Sequence, residues 1–290
     1  MGARNQLRGY LFLLPILILL SIFLIFPFIN VIRLSFYSTK FGFGKMNFTG
    51  FNNYFSLFKD SVFRISIKNS LYWTLGSTFL QLIIPLVIAL LLNRKFFGAT
   101  FVRSVILIPW ITPVVGITML TRWILEPQLG ILNRILINIG LINERLNLLG
   151  SMVATLPTLL TVSSWQFIPF GTLLILAALS TILPELYDAI TIDGASSWQV
   201  FRYLIFPLVG SMIGFVFFFG FVWNFNSFAL IWLITRGGPV NSTMTLPVLI
   251  YQKAFASLNM GQAAAIATLV GIFLIIVGFV YFRYMWKRVD

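Results

Sequence analysis

Three of the chain's seven acidic side chains stand close together, at Glu185, Asp188 and Asp193. The residues around them, from Leu183 to Ala195, form a polar island in an otherwise apolar sequence. A short hairpin that carries such a cluster can dock a partner protein, and it can equally be a structural elbow that returns the chain to a membrane. The residues alone leave both interpretations open, and they favour docking.

The local chemistry of this island predicts a helix, a turn and a second helix. Pro184 suits the first position of a helix, because the N–H that it lacks has no partner there. Glu185 and Asp188 then lie near the positive end of the helix dipole. An apolar stripe for docking recurs at helical spacing, at Leu183, Tyr187 and Ile190.

The second half of the island contains signals for a turn and for a new helix. Gly194 can adopt the left-handed conformation that ends a helix. The sequence Ser196-Ser-Trp-Gln199 is typical of a capping box, which opens a helix that we expect to run to Pro207. Residues 183–207 are therefore predicted to form an amphipathic helical hairpin that lies parallel to the bilayer.

Amide and aromatic side chains form two further clusters inside apolar stretches. The first is Ser163-Ser-Trp-Gln-Phe-Ile-Pro-Phe170 and the second is Phe221-Val-Trp-Asn-Phe-Asn-Ser-Phe228. An amide that faces lipid is costly, so these amides should face a wet cavity or another helix. Aromatic faces beside amides suit the C–H patches and hydroxyls of a sugar. The alternative is that the amides join helices and the rings only pack.

The composition places all of these residues in a membrane. Of the 290 residues, 59% are hydrophobic and 9% are charged, and the mean hydropathy is +0.96. Soluble domains carry about 25% charged residues, so the chain lacks the polar surface of a soluble enzyme. It also contains no Cys and no His. Their absence excludes disulfides and thiol chemistry and removes the commonest metal ligand and general base.

Six apolar stretches reach the roughly 20 residues that a membrane span requires. They predict one all-α transmembrane domain over residues 1–290. The first stretch is longer than the apolar core of a signal peptide, so we expect an uncleaved first helix. The predicted spans are Leu11–Tyr37, Asn69–Leu92, Ser104–Leu125, Met152–Ser180, Pro207–Thr235 and Gln262–Phe282.

The charge pattern fits a membrane protein that depends on an outside source of energy. The formal charge of +13 comes from basic residues scattered in ones and twos, which favours lipid headgroups over nucleic acid as their neighbours. The loops on the two sides of the membrane carry equal numbers of Lys and Arg. Those on the side of the termini stand in shorter segments, which favours termini on the inner side of the membrane. The sequence has no Gly-x-x-x-x-Gly-Lys-Ser/Thr motif, which would bind the phosphates of ATP. It also has no ionisable residue in the middle of a span, where a proton relay or an ion-coupling site would need one. Transport would therefore need an energy source outside the chain.

The stretch from Glu185 to Phe201, followed by Ile205-Phe-Pro207, resembles the cytoplasmic EAA loop of binding-protein-dependent ABC importer permeases. It is most similar to the carbohydrate group that includes the maltose and glycerol-3-phosphate permeases. The sequence departs from the family where Asp188 replaces the usual Glu and Ile190 replaces an Ala. Other stretches agree in the same order: Phe48-Thr-Gly-Phe-Asn-Asn-Tyr54, Thr235-Arg-Gly-Gly-Pro239 with Thr243, Tyr251, Ala254 and Phe255, and Gly261-Gln-Ala-Ala-Ala265.

The resemblance implies a six-helix permease of the type I importer fold with a cytoplasmic coupling-helix hairpin and both termini in the cytoplasm. Such a subunit of the cell membrane pairs with a second homologous permease. Two ATPase subunits and an external solute-binding protein complete the transporter. The chain itself would be no enzyme and hold no cofactor, because ATP and Mg²⁺ bind the ATPase subunits. The cargo would be an oligosaccharide or a polyol of the glycerol-phosphate type.

The resemblance also assigns roles to individual residues. The hairpin would couple the spans to the ATPase through Glu185, Asp188, Ala189, Asp193, Gly194 and Ala195. The two amide and aromatic clusters would bind the sugar through Trp165, Gln166, Phe170, Gly220, Asn224 and Ser227.

Two other classes of protein remain as alternatives. A secondary transporter of a neutral solute predicts paired broken helices in two matching halves and a site for a coupling ion. An intramembrane enzyme predicts a nucleophile or a metal constellation. The sequence contains no clear internal repeat and no carboxylate pair within a span, so both are less favoured than the importer permease.

Overall fold

Apolar helices form most of the molecule, as the composition predicts. The computed structural model describes residues 3–38, 46–94 and 96–286. These residues group into two compact units, which we treat separately. Unit 1 lies within residues 1–64 and 249–277, and unit 2 lies within residues 65–248 and 278–290.

The secondary structure of the described residues is helical apart from one short hairpin, in which strands β1 (Tyr37–Ser38) and β2 (Asn47–Phe48) pair antiparallel. Three π-helical turns follow α1, α11 and α14, at Ser21–Ile25, Val200–Ile205 and Gln252–Ala256. The α-helices are α1 (Ala3–Leu20), α2 (Phe26–Ser35), α3 (Asn52–Lys59), α4 (Ser61–Leu92), α5 (Ala99–Val105), α6 (Ile108–Ile111), α7 (Val114–Ile124), α8 (Ile131–Asn138), α9 (Thr155–Leu179), α10 (Pro184–Ile192), α11 (Ser197–Gln199), α12 (Phe206–Phe225), α13 (Ala229–Thr235), α14 (Leu246–Tyr251) and α15 (Met260–Trp286).

Five helical stretches in the described part of the chain are long and apolar enough to cross a membrane. A pair of helices, Ala99–Ile111 and Val114–Ile124, would make a sixth span, but it bends by 90°. Each of the six predicted stretches overlaps one of these. The five straight ones are Phe12–Ser35, Ser61–Leu92, Thr155–Leu179, Ser197–Phe225 and Met260–Arg283.

The third predicted span, Ser104–Leu125, is therefore bent and not one straight helix. α6 ends at Ile111, and Thr112 is extended, with ψ 126°. Pro113 follows it, and the ring of a proline disfavours the helical conformation of the residue before it. The chain therefore leaves the helix at Thr112 and starts α7 in a new direction.

The fifth predicted span, Pro207–Thr235, is displaced in the structure. One helical stretch runs from Ser197 to Phe225, so the second hairpin helix does not end at Pro207 but continues into the membrane. The helical stretch ends at Phe225, and the side-chain amide of the next residue, Asn226, donates to the Val222 carbonyl (2.9 Å). A separate helix, α13, follows after residues 226–228.

Two prolines are accommodated by a widened helical turn. Pro27 and Pro207 each stand at the second position of an α-helix that directly follows a π-helical turn. In each turn the bond spans five residues, for example from the Phe206 N–H to the Phe201 carbonyl. A proline inside a helix lacks an N–H and its ring crowds the preceding turn. The wider turn lets the helix continue through both prolines.

In unit 1, two of the motifs that resemble the permease family meet. Asn53 donates to the carbonyls of Ser35 (2.7 Å) and Tyr37 (3.0 Å), which fixes α3 against the end of α2. Gly261, at the start of α15, lies so close to the Tyr37 carbonyl that a side chain would collide with it. The small residue at position 261 therefore permits the close approach of these segments.

One ion pair fastens the loop after α3 in unit 1. The Lys253 ammonium lies 2.8 Å from the Asp60 carboxylate. Partial burial raises the pKa of Asp60, but hydrogen bonds from Lys253 and from the Val62 and Phe63 N–H groups, with the Lys253 charge, lower that pKa below its ordinary value. Asp60 thus stays ionised at neutral pH.

In unit 2, α4, α9 and α12 share an apolar core that includes Ala89, Ile175, Leu179 and Val209. Small residues allow the helices to approach, as is usual in membranes, where packing replaces the hydrophobic effect between helices. A methyl group on Gly171 would lie 3.1 Å from two ring atoms of Pro85 and 3.3 Å from a backbone oxygen of α4. The contact between α4 and α9 is therefore tight at this glycine.

We predict that Gly171→Ala destabilises the protein relative to Gly116→Ala. Both variants add the same methyl group to a helix and gain the same helix propensity, but at Gly116 the nearest atom lies 3.9 Å away. Overpacking costs about 1–3 kcal/mol, so Gly171→Ala should have the lower midpoint of thermal unfolding in detergent. Equal midpoints for the two variants would contradict the tight contact.

Candidate functional site

Unit 2 contains a cavity of about 760 Å³, within the size range of small-molecule sites. Both predicted clusters contribute to it, as do the bent helix pair and α4. Its wall is formed by Gln81, Trp110, Val114, Ser163, Gln166, Phe167, Phe170, Phe219, Val222, Trp223, Asn226, Ser227, Phe228, Ala229 and Leu230.

Aromatic rings form a connected wall on one side of this cavity. Trp110 stacks on Phe170, with centroids 5.3 Å apart and planes at 25°. Phe170 packs on Phe219 (5.2 Å), and Phe219 stacks on Trp223 (5.8 Å). The wall thus joins the bent helix pair, α9 and α12, and it offers extended apolar faces to a ligand.

Two helix breaks in unit 2 open into the cavity. Trp110 and Val114 flank the bend at Thr112, and residues 226–228 separate α12 from α13. Backbone that leaves a helix within a membrane must line a water-filled space or be buried in protein, because lipid offers no hydrogen bonds. A position beside the cavity fits this rule for both breaks. Ser163, Gln166 and Ser227 add neutral hydrogen-bonding side chains.

Asn224 takes part in a buried amide pair instead of lining the cavity. Its amide donates to Gln81 Oε1 (2.7 Å) and Thr78 Oγ1 (3.2 Å), and Gln81 donates back to Asn224 Oδ1 (3.3 Å). Both amide side chains are only 1% exposed. Asn224 therefore holds in place Gln81, which does line the cavity. A direct contact between Asn224 and a sugar stays a prediction.

Of the five remaining predicted substrate residues, three line the cavity and two do not. Gln166, Phe170 and Ser227 line the cavity together. Gly220 is buried, and a methyl group there would meet Gln81 at 3.7 Å, so this glycine faces α4. Trp165 lines a second groove of about 360 Å³ between α7 and α9.

Several residues of the cavity wall are not predicted from the sequence. Trp110 and Gln81 stand in apolar stretches of α6 and α4, far from both clusters along the chain. Gln81 could have been singled out from the sequence, because a lone amide within a membrane span needs a hydrogen-bonding partner. Trp223 and Asn226 lie inside the second cluster and line the cavity. The end of α12 at Phe225, between these two residues, could not be inferred from the periodicity of the apolar residues.

The predicted turn and cap of the hairpin are confirmed. Gly194 has a φ of 75°, its N–H bonds to Thr191, and the Ala195 N–H bonds to Ile190. These bonds form the Schellman motif that ends a helix. The next helix starts with the predicted capping box, in which Ser196 and Gln199 bond reciprocally.

The hairpin presents its acidic side outward and its apolar side to the core. The predicted coupling residues Glu185, Asp188, Ala189, Asp193 and Gly194 are exposed, and Ala195 is half-buried. Tyr187 packs against the shared core of unit 2. Leu183 is 62% exposed and precedes the first helix, so the expected docking stripe begins at Tyr187 rather than at Leu183.

A single helical stretch links the hairpin to the cavity. It begins after the cap at Ser196 and ends at Phe225, beside the break that lines the cavity. With a rise of about 1.5 Å per residue, it extends for roughly 40 Å.

We predict that Asn224 and Gln81 are energetically coupled. Asn224→Leu leaves the Gln81 amide buried without its partner, which costs about 1–3 kcal/mol. The double variant with Gln81→Leu removes both polar groups, so it should lose less stability than the sum of the single variants. Asn226→Leu provides the control, because this amide is exposed. Additive losses in the thermal unfolding midpoints would contradict the coupling.

Comparisons with known proteins agree with this architecture. Residues 81–290 match the family described as binding-protein-dependent transport system inner membrane component. A probable ABC transporter permease protein of Brucella suis biovar 1 (strain 1330) is 30% identical, over 97% of both chains. The trehalose/maltose transport system permease protein MalF of Thermococcus litoralis (strain ATCC 51850 / DSM 5473 / JCM 8560 / NS-C) is 28% identical, over 92% of this chain and 90% of that one.

The fold is also similar to that of a solved transporter. A chain of a bacterial ABC transporter involved in the import of the acidic polysaccharide alginate superposes with a TM-score of 0.85 at 22% identity, covering 98% of this chain and 96% of that one. The predicted fold class is thus confirmed. The chain is a multi-pass transport permease, and it belongs to the family of binding-protein-dependent transport system inner membrane components.

Proposed function

We propose that the chain is the membrane-spanning permease subunit of an ATP-driven importer and forms part of the pathway for a carbohydrate. An external solute-binding protein delivers the cargo. A second homologous permease completes the pathway, and two ATPase subunits bind the hairpin. ATP and Mg²⁺ are held by those subunits and not by this chain. The hairpin and both termini then lie in the cytoplasm.

The cavity of unit 2 carries this proposal. Its stacked rings suit the C–H faces of a sugar, and the neutral side chains of Gln166 and Ser227 suit its hydroxyls. Relatives support the same class of cargo, since one is named for trehalose and maltose and a structural neighbour belongs to an alginate importer. We propose Gln166, Phe170 and Ser227 as contacts from the predicted set and add Trp110 and Trp223.

The exposed hairpin supports the assignment of an external energy source. Its acidic side is free of contacts with the core, while its inner side and the helix that follows are continuous with the cavity wall. A partner that grips the hairpin and closes on ATP would displace this helix. The chain thus needs no energy-converting group of its own.

The proposal is tested by gentle solubilisation of the tagged full-length chain and identification of the proteins that copurify with it. We expect an ATPase and a second permease. After reconstitution with the binding protein, a sugar from a panel of neutral and acidic oligosaccharides should stimulate ATP hydrolysis and enter the vesicles. Recovery of neither subunit would count decisively against an importer.

Two tryptophan variants test the location of the sugar. Trp223→Ala removes a ring from the cavity wall and should lower uptake several-fold, since such ring contacts contribute about 0.5–1.5 kcal/mol. Trp165→Ala removes a ring of similar exposure from the separate groove and should leave uptake unchanged. The opposite pattern would restore Trp165 as the contact and reject the cavity.

We predict that Gly194→Val weakens the stimulation of ATP hydrolysis by sugar and binding protein. Both Gly194 and Gly140 have a positive φ and open space around the position of a side chain, so a valine at either position strains only the backbone, by roughly 1–2 kcal/mol. Gly140→Val is therefore the matched control for strain. Only Gly194→Val should reduce hydrolysis stimulated by sugar and binding protein. Equal activity of both variants would be incompatible with a coupling role for this turn.

A further inference from the structure

A row of exposed phenylalanines on α3 and at its N-cap has no role in the proposed transport pathway. Phe51, Phe55 and Phe58, here called the Phe stripe, are 63%, 66% and 58% exposed. Among the described residues, ring contacts are found at its two ends, where Phe51 meets Phe36 edge-on (5.3 Å) and also Tyr54 (5.8 Å), and Phe58 meets Phe63 (5.9 Å). An apolar surface of this kind needs an occupant.

The stripe occupies one of three distinct sides of α3. At about 100° per residue, its members fall within a sector of roughly 60°. On one side of this sector are the buried residues Asn53 and Leu57, which face the protein. On the other side are exposed polar residues: Asn52, Ser56 and Lys59.

The position of α3 along the chain sets its height relative to the membrane. The first span ends at Ser35, whose carbonyl accepts the Asn53 amide. The next span begins at Ser61, and only Asp60 separates it from α3. The connection to the end of one span and to the start of the next places α3 near a membrane surface.

We infer that the Phe stripe is inserted into the boundary between lipid headgroups and acyl chains, so that α3 lies flat on the bilayer. A helix with one apolar and one polar face takes this position at a membrane surface. The polar side of α3 faces water, where the Lys59 ammonium can meet lipid phosphates.

Spin labels on single cysteines test this placement directly, because the chain contains no Cys of its own. The full-length chain, with the subunits that copurify with it, is placed in nanodiscs of phosphatidylethanolamine and phosphatidylglycerol. Labels are attached at Phe51→Cys, Phe55→Cys, Phe58→Cys, Asn52→Cys and Ser56→Cys. Accessibility to oxygen, which partitions into lipid, is then compared with accessibility to a water-soluble nickel chelate. Ile275→Cys on α15 and Glu144→Cys in a polar loop, both exposed, serve as lipid and water references.

The expected result is an alternation along α3. Labels in the Phe stripe should favour oxygen severalfold more than labels at Asn52 and Ser56 and should approach the Ile275 reference. Equal access of the nickel chelate to both sets would place the stripe in water. Labels in the stripe that are shielded from both reagents would place it against a protein, such as the binding protein or a second permease. Either outcome would overturn the inference.

Discussion

The backbone of a membrane span has no water to bind, so every N–H and C=O within the hydrocarbon must find a partner in the protein. This constraint organises unit 2. Two of its helix breaks, at Thr112 and at residues 226–228, open into the cavity. Irregular backbone in a membrane is tolerated only beside a cavity or inside protein. The helix breaks and the cavity therefore occur at the same place in the fold. The helical stretch that ends at the second break begins at the hairpin cap, so cavity and hairpin share a structural element.

Local chemistry allowed much of the fold and of the hairpin to be predicted. Apolar length identified the spans, and short-range signals identified the turn at Gly194 and the cap at Ser196. Such features depend on a few neighbouring residues, so they are visible in one sequence. The continuation of the helix through Pro207 was missed, because its widened π-helical turn has no comparable signature.

The candidate site was predicted less completely, because a cavity depends on contacts between distant segments. The clusters around Gln166 and Ser227 were found as amides in apolar surroundings, and both reach the cavity. An amide in an apolar stretch does not reveal by itself whether it faces the cavity. The Asn224 amide gives the same signal as Gln166, but it bonds to Gln81, which is 143 residues away along the chain. Trp165 stands next to Gln166 in the sequence. Successive side chains on a helix point about 100° apart, so the Trp165 side chain lies in another groove.

The two amides on α12 show how one helix can separate structure from recognition. Asn224 and Asn226 are two positions apart, so they point to different sides of the helix. Asn224 faces α4, where an unpaired amide would be costly and a reciprocal pair satisfies both partners. Asn226 lies at the end of the helix, is exposed and lines the cavity. A polar residue in a membrane span is therefore evidence for a ligand site only after its hydrogen bonds within the protein have been counted. By that criterion, Gln166 and Ser227 are the stronger candidates among the residues that the sequence singled out.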